Sequence, residues 1–413
     1  MIPIARPVLG DAEAAAAARV IRSGWLTQGS EVASFEAEFA RYVGAPHACA
    51  VSNCTTALHL ALLALGVGAG DEVITASHSF IATANAVRHC GANPVFVDIR
   101  PDTFNLDPEA VAKAIGPRTR AILCIHQMGM PCDLAAILAI AREQGLAVVE
   151  DAACAVGSEI RWRGSWEKIG RPHGDVACFS FHPRKLITTG DGGMLTTARP
   201  ELDARLRLLR QHGMSIPDTV RHRSPVVLVE SYDAVGFNCR LTDLQAAVGR
   251  AQLVRLPEII AERRAIATRY DRLLAERTAA TPPAEPADLR SNWQSYCVRL
   301  PDGVDQIAVM QHMLERGVAT RRGIMCAHRE PAYRCEPRRW ALTRSEEAQD
   351  RCVLLPLYAG LSEDQQAEIV AHLAAAIAAD RGCSAARRRG RAPATSPSRP
   401  MIQTAGGASH AAR

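Results

Sequence analysis

The amino-acid sequence predicts an α/β fold with a mainly parallel sheet, and two observations support this prediction. Between residues 47 and 197, short apolar segments alternate with stretches whose apolar residues recur at helical spacing. The apolar segments are typical of strands buried on both faces, and such strands joined by crossover helices form parallel sheets. Ligands of these open sheets bind beyond the carboxyl ends of the strands, so we look for a site there.

Seven strands and three of the helices between them can be placed along this region. The strands are predicted at Ala48–Ser52, Glu72–Ala76, Pro94–Asp98, Ala121–His126, Leu146–Glu150, Val176–Phe181 and Gly193–Thr196. The helices are predicted at Ala57–Leu65, Pro108–Ala114 and Leu134–Gln144. Asp107 followed by Pro108 is a favourable helix start, because aspartate caps the helix and proline fits its first turn.

The C-terminal part predicts a second, smaller unit. Residues 242–245 have the pattern of a capping box that opens a helix through about Leu256, and further helical segments cover roughly Pro257–Arg277. After a proline-rich break, a strand is predicted at Ser295–Arg299, a helix at Gln306–Arg316 and a last helix capped by Ser362. We therefore expect a large domain with an N-terminal arm over residues 1–250 and a small α+β domain over residues 251–380.

The charge distribution separates the C-terminal end from the rest of the 413 residues. Residues 381–413 contain seven arginines and no acidic residue. Subtracting these seven charges from the formal net charge of +5 leaves −2 for residues 1–380, which is no footprint for nucleic acid. Because this end has few apolar side chains to bury, we predict a disordered basic tail over residues 381–413.

Composition favours a cytoplasmic protein. No stretch reaches 18 uncharged apolar residues, so we expect no membrane span. The N-terminus lacks a basic region followed by an apolar core, so we expect no secretory signal. The thirteen cysteines are scattered without a Cys-x-x-Cys pair, which favours buried free thiols over disulfides or a metal site.

Asp151 and Lys185 are the strongest candidates for catalysis. Asp151 ends an apolar strand, where a buried carboxylate needs a partner. Lys185 follows the next strand and precedes a glycine-rich turn at residues 188–193, which permits close backbone approach to a ligand. Taken singly, the two could be a helix cap and a surface lysine. Together they supply the amine and the acid that pyridoxal phosphate (PLP) chemistry requires.

A phosphate site is predicted at residues 52–56, where a strand leads into a helix. Backbone N–H groups at a helix N-terminus bind phosphate, although helix capping alone would also explain a threonine here. Ser180 can add a hydroxyl, and Phe80 offers a flat ring for a pyridine. Residues 236–240 include an amide and a guanidinium, at a place where another chain could contribute to a site.

These residues together resemble the sugar-nucleotide aminotransferases of the DegT/StrS family, which are fold-type-I PLP enzymes. The resemblance runs from about Pro3 to Ala375. It rests on motifs at residues 23–29, 52–58, 150–153, 179–185 and 236–245. It implies the PLP fold type I, with a large domain built on a mainly parallel seven-stranded sheet flanked by helices and a small C-terminal α+β domain.

The resemblance also implies a role for each site residue. Lys185 would bind the cofactor covalently, and Asp151 would contact the pyridine nitrogen. The remaining cofactor contacts fall on Cys54, Thr55, Phe80, Cys154, Ser180 and Asn238. Among these, Asn238 would reach the phosphate from the neighbouring subunit of a homodimer with shared active sites. The loop at residues 25–29 would lie near the substrate.

Three residues depart from the family pattern. Cys154 stands where many members have Gln or His against the 3-hydroxyl of the ring. Cys54 replaces a common glycine in the phosphate turn, and Asp191 replaces the usual Glu. None of the three removes a group that the chemistry needs.

By the same resemblance we expect transamination, with L-glutamate as the amino donor and a nucleotide-linked keto sugar as the acceptor. A sugar dehydratase or a keto-cyclitol aminotransferase of the same family is the alternative. A dehydrating offshoot has histidine at the lysine position, so Lys185 favours transamination. Outside this class, the alternative is a non-catalytic regulator that binds nucleic acid or a partner protein through the basic tail. We expect no metal, nucleic acid or membrane as a partner.

Overall fold

The computed structural model describes residues 1–335 and 339–389. Its helices are α1 (Asp11–Ser23), α2 (Ser30–Val43), α3 (Cys54–Ala64), α4 (Ala82–His89), α5 (Pro108–Ala114), α6 (Leu134–Gln144), α7 (Pro200–Leu209), α8 (Asp218–Arg223), α9 (Asp243–Arg277), α10 (Gln306–Glu315), α11 (Thr343–Arg351) and α12 (Glu363–Arg389). Its strands are β1 (His47–Val51), β2 (Glu72–Ala76), β3 (Asn93–Val97), β4 (Thr119–Ile125), β5 (Ala147–Asp151), β6 (Glu159–Trp162), β7 (Ser165–Lys168), β8 (Val176–Ser180), β9 (Gly193–Thr197), β10 (Leu289–Arg290), β11 (Tyr296–Arg299), β12 (Arg321–Arg322) and β13 (Cys352–Leu355).

The large sheet has seven strands in the order β1-β9-β8-β5-β4-β2-β3. The pairs β2/β3, β2/β4, β4/β5 and β5/β8 are parallel, whereas β9 runs antiparallel to both of its neighbours. This confirms the predicted α/β fold, and the seven predicted strands agree with the observed strands within two residues at each end.

Both faces of this sheet are covered, as the apolar composition of the strands predicts. Successive residues point to opposite faces of a strand, so neighbours in sequence join different clusters. Val148 packs in a cluster with α2 and α6, whereas Val149 packs in a cluster with α3 and α7. The carboxyl ends of the central strands therefore open between two layers of helices.

Helix α9 joins the large sheet to a smaller layer built on β11, β13 and β12. The sequence predicts two helical pieces with a break at Pro257, but the structure has one helix of 35 residues with this proline inside it. Up to the middle of the helix, Leu256 and Ile260 pack in the hydrophobic core of the large sheet. Beyond the middle, Ile266 and Leu274 pack in the core of the smaller layer. This packing on both sides compensates for the backbone hydrogen bond that proline removes. The predicted domain boundary at residue 250 falls within α9 and stays a prediction.

Two further features differ from the sequence predictions. The strands β6, β7 and β10, which the sequence did not predict, form a separate three-stranded sheet in which β10 pairs with β6. Because β10 lies far along the chain from β6, no local pattern in the sequence indicates this pairing. Helix α12 continues to Arg389, past the predicted end of the small domain near Asp380, and the predicted tail over residues 381–413 stays a prediction. The rest of that predicted tail, residues 390–413, lies outside the described residues.

None of the helices described in residues 1–335 and 339–389 combines the length and the apolar character needed to cross a bilayer.

Candidate active site

A cavity of about 550 Å³ lies at the carboxyl ends of the central strands. Ile125, Asp151 and Ser180 end β4, β5 and β8, respectively, and all three line it. The predicted site residues that line this cavity are Cys54, Thr55, Phe80, Asp151, Cys154, Ser180 and Lys185. The fold therefore brings together residues from four separate parts of the chain at the place where the parallel sheet predicts a ligand.

Asp151 is a buried carboxylate with defined hydrogen-bond donors. Its side chain is accessible to solvent to only 6%. Thr83 Oγ1 donates to Oδ2 over 2.8 Å, and the Ala153 N–H donates to Oδ1 over 3.2 Å. Burial raises the pKa of Asp151, and the two donors lower it without cancelling that effect. Among the described residues it forms no ion pair, so its negative charge is available to a cationic ligand.

Lys185 lies in the turn that follows β8. Its backbone N–H donates to the His182 carbonyl over 2.8 Å, and its Nζ donates to Cys154 Sγ over 3.0 Å. Burial lowers the pKa of Lys185, whereas the neighbouring Cys154, Cys54 and Asp151 raise it. Their combined effect is larger than that of burial, so that the pKa lies above the usual lysine range. The amine is therefore held in the cavity as an ammonium group when no ligand has reacted with it.

The phosphate site predicted at residues 52–56 is the N-terminus of α3. Asn53 caps this helix, since its Oδ1 accepts from the Thr56 N–H over 2.8 Å. The structure thus assigns the cap to Asn53, and the Thr55 hydroxyl is not used for it. Within the described residues, no hydrogen bond occupies the backbone N–H of Cys54 or of Thr55. Two free donors at a helix N-terminus, with the positive end of the helix dipole, form an anion site.

Gly193 of β9 packs directly against the backbone at the start of α3. A Cβ atom at this position would lie 2.6 Å from Asn53 C and 2.9 Å from Cys54 N. Any larger residue in β9 would therefore displace the start of α3. The glycine-rich turn near Lys185 serves the packing of the phosphate site at this position.

Several cavity residues were missed by the sequence reasoning. His126 directly follows β4, and its Nε2 lies 3.0 Å from Glu150 Oε2 while its Nδ1 accepts from the Cys132 N–H over 3.1 Å. The rule that singled out Asp151, a polar residue at the end of a buried strand, would also have found His126. Thr83, Arg184 and Gln294 carry no such signal in the sequence, although they too line the cavity.

Two predicted elements do not line the cavity of this chain. Asn238 forms an isolated bridge with Gln211, and it is absent from the cavity wall. The loop at residues 25–29 packs against the start of α9, where Asp243 Oδ1 accepts from the Gly29 N–H over 2.7 Å. Phe80, in contrast, lies at the cavity with 67% of its surface exposed, so that its ring is free to contact a ligand.

Comparison with known proteins gives one consistent result. Residues 7–374 match the DegT/DnrJ/EryC1/StrS aminotransferase family. The chain is 37% identical over 375 residues to the spore coat polysaccharide biosynthesis protein SpsC of Bacillus subtilis, which covers 89% of this chain and 95% of SpsC.

Two solved structures show the same fold. The aminotransferase TlmJ from Streptoalloteichus hindustanus matches with a TM-score of 0.84 and 38% identity, over 92% of this chain and 99% of TlmJ. PseC of Helicobacter pylori, an aminotransferase involved in the biosynthesis of pseudoaminic acid, matches with a TM-score of 0.84 and 26% identity, over 92% of this chain and 99% of PseC.

Proposed function

The chain belongs to the DegT/DnrJ/EryC1/StrS aminotransferase family and is a PLP-dependent aminotransferase, and we propose that it transfers an amino group from L-glutamate to a nucleotide-linked keto sugar. The observation that carries this proposal is the cavity that holds the amine of Lys185, the carboxylate of Asp151 and the open N-terminus of α3 together. A sugar acceptor is supported by SpsC and PseC, whose names place them in polysaccharide and pseudoaminic acid biosynthesis.

The donor set in the cavity fits PLP. The cofactor needs an amine for covalent attachment, an acid at its pyridine nitrogen and donors for its phosphate. Lys185, Asp151 and the backbone N–H groups of Cys54 and Thr55 supply these groups in this order. The hydroxyl of Ser180 adds a phosphate contact, and Phe80 provides the aromatic face. When bound, PLP supplies an electron sink that stabilises negative charge at the carbon next to the transferred nitrogen.

The protein's own residues then control charge and proton position. The Asp151 carboxylate would accept a hydrogen bond from a pyridinium N–H, and Thr83 fixes its orientation through the bond to Oδ2. Lys185 Nζ would move a proton at the α-carbon of the amino donor once the amine is free, because among the described residues that line the cavity it alone carries a primary amine. Cys154 holds this amine when it is protonated.

A second candidate function is PLP-dependent sugar dehydration, and a third is amination of a keto cyclitol. The presence of Lys185 as a proton carrier in the cavity favours transamination over dehydration. Analysis of the product of a keto sugar and of a keto cyclitol separates the two acceptors. Because the chain is an aminotransferase, the alternative of a non-catalytic regulator has no support.

We also propose a homodimer in which each active site is completed by the partner, in the cytoplasm. Asn238, the predicted phosphate ligand, lies outside the cavity of its own chain, as a residue donated to a neighbour would. The segment before it exposes a row of apolar side chains, among them Val227 and Val235, which are more than nine-tenths exposed. An exposed apolar patch of this kind is typical of a surface that another chain covers.

The test is an absorbance spectrum of purified wild type and of Lys185→Ala, before and after the addition of L-glutamate. We expect a band of lysine-bound cofactor in wild type that shifts to the amine form with L-glutamate, and no such response in the variant. Wild type that binds PLP but responds to no amino donor would overturn transamination. A response to other amino acids but not to L-glutamate would overturn the donor alone.

A further inference from the structure

Arg184 is a cation in the cavity wall that the proposed chemistry does not use. It lies between His182 and Lys185 in the turn after β8, and it lines the same cavity as the lysine. Its Nε is buried and has no hydrogen-bond partner. Among the described residues no carboxylate forms an ion pair with its guanidinium. A buried guanidinium nitrogen without a partner is costly, and although the Nε of Arg210 is likewise unpartnered, the Arg210 guanidinium binds Glu36 through another nitrogen.

A second arginine without an ion pair among the described residues lies on a strand next to this cavity. Arg321 is exposed on β12, and the register of β12 on β13 places it opposite Leu354, which lines the cavity. It forms no ion pair with any carboxylate in the described part of the chain, whereas the adjacent Arg322 pairs with Glu330 over 3.2 Å. Burial lowers the pKa of Arg184, and the positive charge of Arg321 lowers it further. Both arginines are thus placed at the same cavity, Arg184 in its wall and Arg321 on the strand residue paired with Leu354.

Two other arginines of this protein have carboxylate partners. Arg210 is as buried as the core, yet it binds Glu36, and Arg250 binds both Glu31 and Glu38. Two neighbouring guanidinium groups without a counter-charge lower the stability of the fold. Such an arrangement becomes favourable when an anion binds between them, because the planar guanidinium matches the oxygens of a carboxylate or a phosphate.

We propose that Arg184 and Arg321 form an oxyanion subsite at the edge of the cavity, which receives an acidic group of the substrate. This inference rests on the proposed function, since both proposed substrates carry such a group: L-glutamate has carboxylates, and a nucleotide-linked sugar has a diphosphate. The neighbouring cavity residues Gln294 and Ser295 are polar and can add hydrogen bonds to the same oxygens. Arg184 and Lys185 line the same cavity, so the acidic group would bind in the cavity that holds the reacting amine.

The experiment measures binding of two probes to the PLP-loaded enzyme by calorimetry. Glutarate carries the carboxylates of the donor without its amine, and UDP carries a diphosphate without a sugar. The variants are Arg184→Gln, Arg321→Gln and Arg184→Lys, and the matched control is Arg272→Gln, an exposed arginine of α9 that has no ion pair among the described residues. The cofactor absorbance and the melting temperature of each variant show that it is folded and loaded.

We expect each glutamine variant to weaken one of the two probes by about tenfold or more, because hydrogen bonds between charged groups are lost. Arg184→Lys is expected to bind at an intermediate level, since it keeps the charge and loses the planar fork. Weakening of glutarate alone assigns the subsite to the donor's carboxylate, and weakening of UDP alone assigns it to the acceptor's phosphate. Weakening of both indicates that the two substrates use it in turn. Binding of both probes equal to that of Arg272→Gln overturns the subsite.

Failure of this inference can be told from failure of the proposed function. If wild type responds to L-glutamate in its spectrum while the arginine variants bind both probes normally, the function stands and the subsite is wrong. If wild type responds to no amino donor, yet binding of UDP depends on Arg184 and Arg321, the subsite stands and transamination is wrong. If wild type binds neither glutarate nor UDP, the subsite is wrong whatever the spectrum shows.

Discussion

The amine of Lys185 lies 3.0 Å from the thiol sulfur of Cys154, across a separation of 31 residues in the chain. This contact exists because a cysteine stands at a position where the family pattern has a longer polar side chain. It ties the candidate catalytic lysine to the loop that follows β5, the strand that carries Asp151. The same residue that departs from the pattern thus raises the pKa of the amine.

Replacement of Cys154 by alanine should lower the pKa of Lys185. Burial alone lowers this pKa, and Cys154 is the first of the neighbours that hold it above the usual range. In the variant more of the amine is neutral at a given pH, so that cofactor-free protein should react with PLP faster at neutral pH. The pH dependence of that rate measures the effect, and its midpoint should move to lower pH. The exposed Cys335→Ala serves as the control, and an unchanged midpoint in Cys154→Ala would contradict the prediction.

Replacement of Thr83 by valine should move the acidic limb of the activity profile to higher pH. The Thr83 hydroxyl lowers the pKa of Asp151, and its removal lets burial raise that pKa further. The carboxylate is then protonated at a higher pH and loses its charge for the pyridine nitrogen. We expect about a tenfold loss of kcat, which corresponds to a hydrogen bond to a charged group of about 1.5 kcal/mol. Steady-state kinetics over the acid range measures both effects.

Thr83→Ser is the matched control for this prediction, because it keeps the hydroxyl and loses only the methyl group. A role limited to packing would leave the serine variant as impaired as the valine variant. It would also leave the shape of the pH profile unchanged. Recovery of the wild-type acidic limb in Thr83→Ser supports the hydrogen bond as the cause.

Replacement of Gly193 by alanine should weaken PLP binding by about tenfold, the effect of about 1.4 kcal/mol. The new Cβ would lie within 3 Å of the backbone of Asn53 and Cys54, and the start of α3 would have to move. Titration of cofactor-free protein with PLP, followed by absorbance, gives the affinity. Gly68→Ala is the control, since nothing lies within 4 Å of its added Cβ. Equal affinities of the two variants would show that the α3 N-terminus does not bind the phosphate.

Replacement of Glu36 by glutamine should destabilise the fold by about 3–5 kcal/mol, because it leaves the buried Arg210 without a counter-charge and removes one of the two carboxylate partners of Arg207, which keeps Asp203. Glu36 Oε2 binds Arg207 over 2.7 Å, and Glu36 Oε1 binds Arg210 over 2.5 Å. Burial raises the pKa of Glu36, but the two arginines lower it more, so that the folded value lies below the ordinary 4.5. Urea unfolding at neutral pH measures the difference.

The pH dependence of this difference has a defined sign. The folded pKa is depressed, so the stabilisation by the charged Glu36 is complete above the unfolded pKa of 4.5 and is lost as the pH falls through the folded pKa. The difference in the free energy of unfolding between wild type and Glu36→Gln should therefore decrease in acid. The exposed Glu109→Gln, whose partner Lys113 lies 4.0 Å away, should show no measurable change at either pH. If this difference in unfolding free energy stays constant below pH 4, the ion pairs of Glu36 are not the cause of the destabilisation.

The sequence was informative wherever a signal is local. The end of β5 at Asp151 and the start of α5 at Pro108 follow from apolar runs and capping residues that neighbours in the chain provide. Pro257 shows the limit of such signals, since a local rule predicts a break and packing on two cores overrides it.

The site was predictable in its reacting groups and not in their surroundings. Lys185 and Asp151 stand at strand ends in a pattern that PLP chemistry needs, and the resemblance to a family supplied most of the remaining contacts. Thr83 and Gln294 were missed, because nothing near them in the chain distinguishes them from surface residues, whereas Arg184 was missed although it precedes Lys185 in the motif at residues 179–185. His126 could have been found, as it too follows a buried strand.

By itself, the sequence determined the α/β fold and the family and singled out Lys185 and Asp151 as the candidate catalytic residues, since these depend on short-range patterns that survive without knowledge of contacts. The tertiary structure alone decided which side chains adjust that chemistry. Thr83 meets Asp151 across 68 residues, and Lys185 meets Cys154 only when β5 and β8 lie side by side. Charge, burial and hydrogen bonding act over a few ångströms in space, so the pKa of each group and the unpaired state of Arg184 are properties of the folded chain.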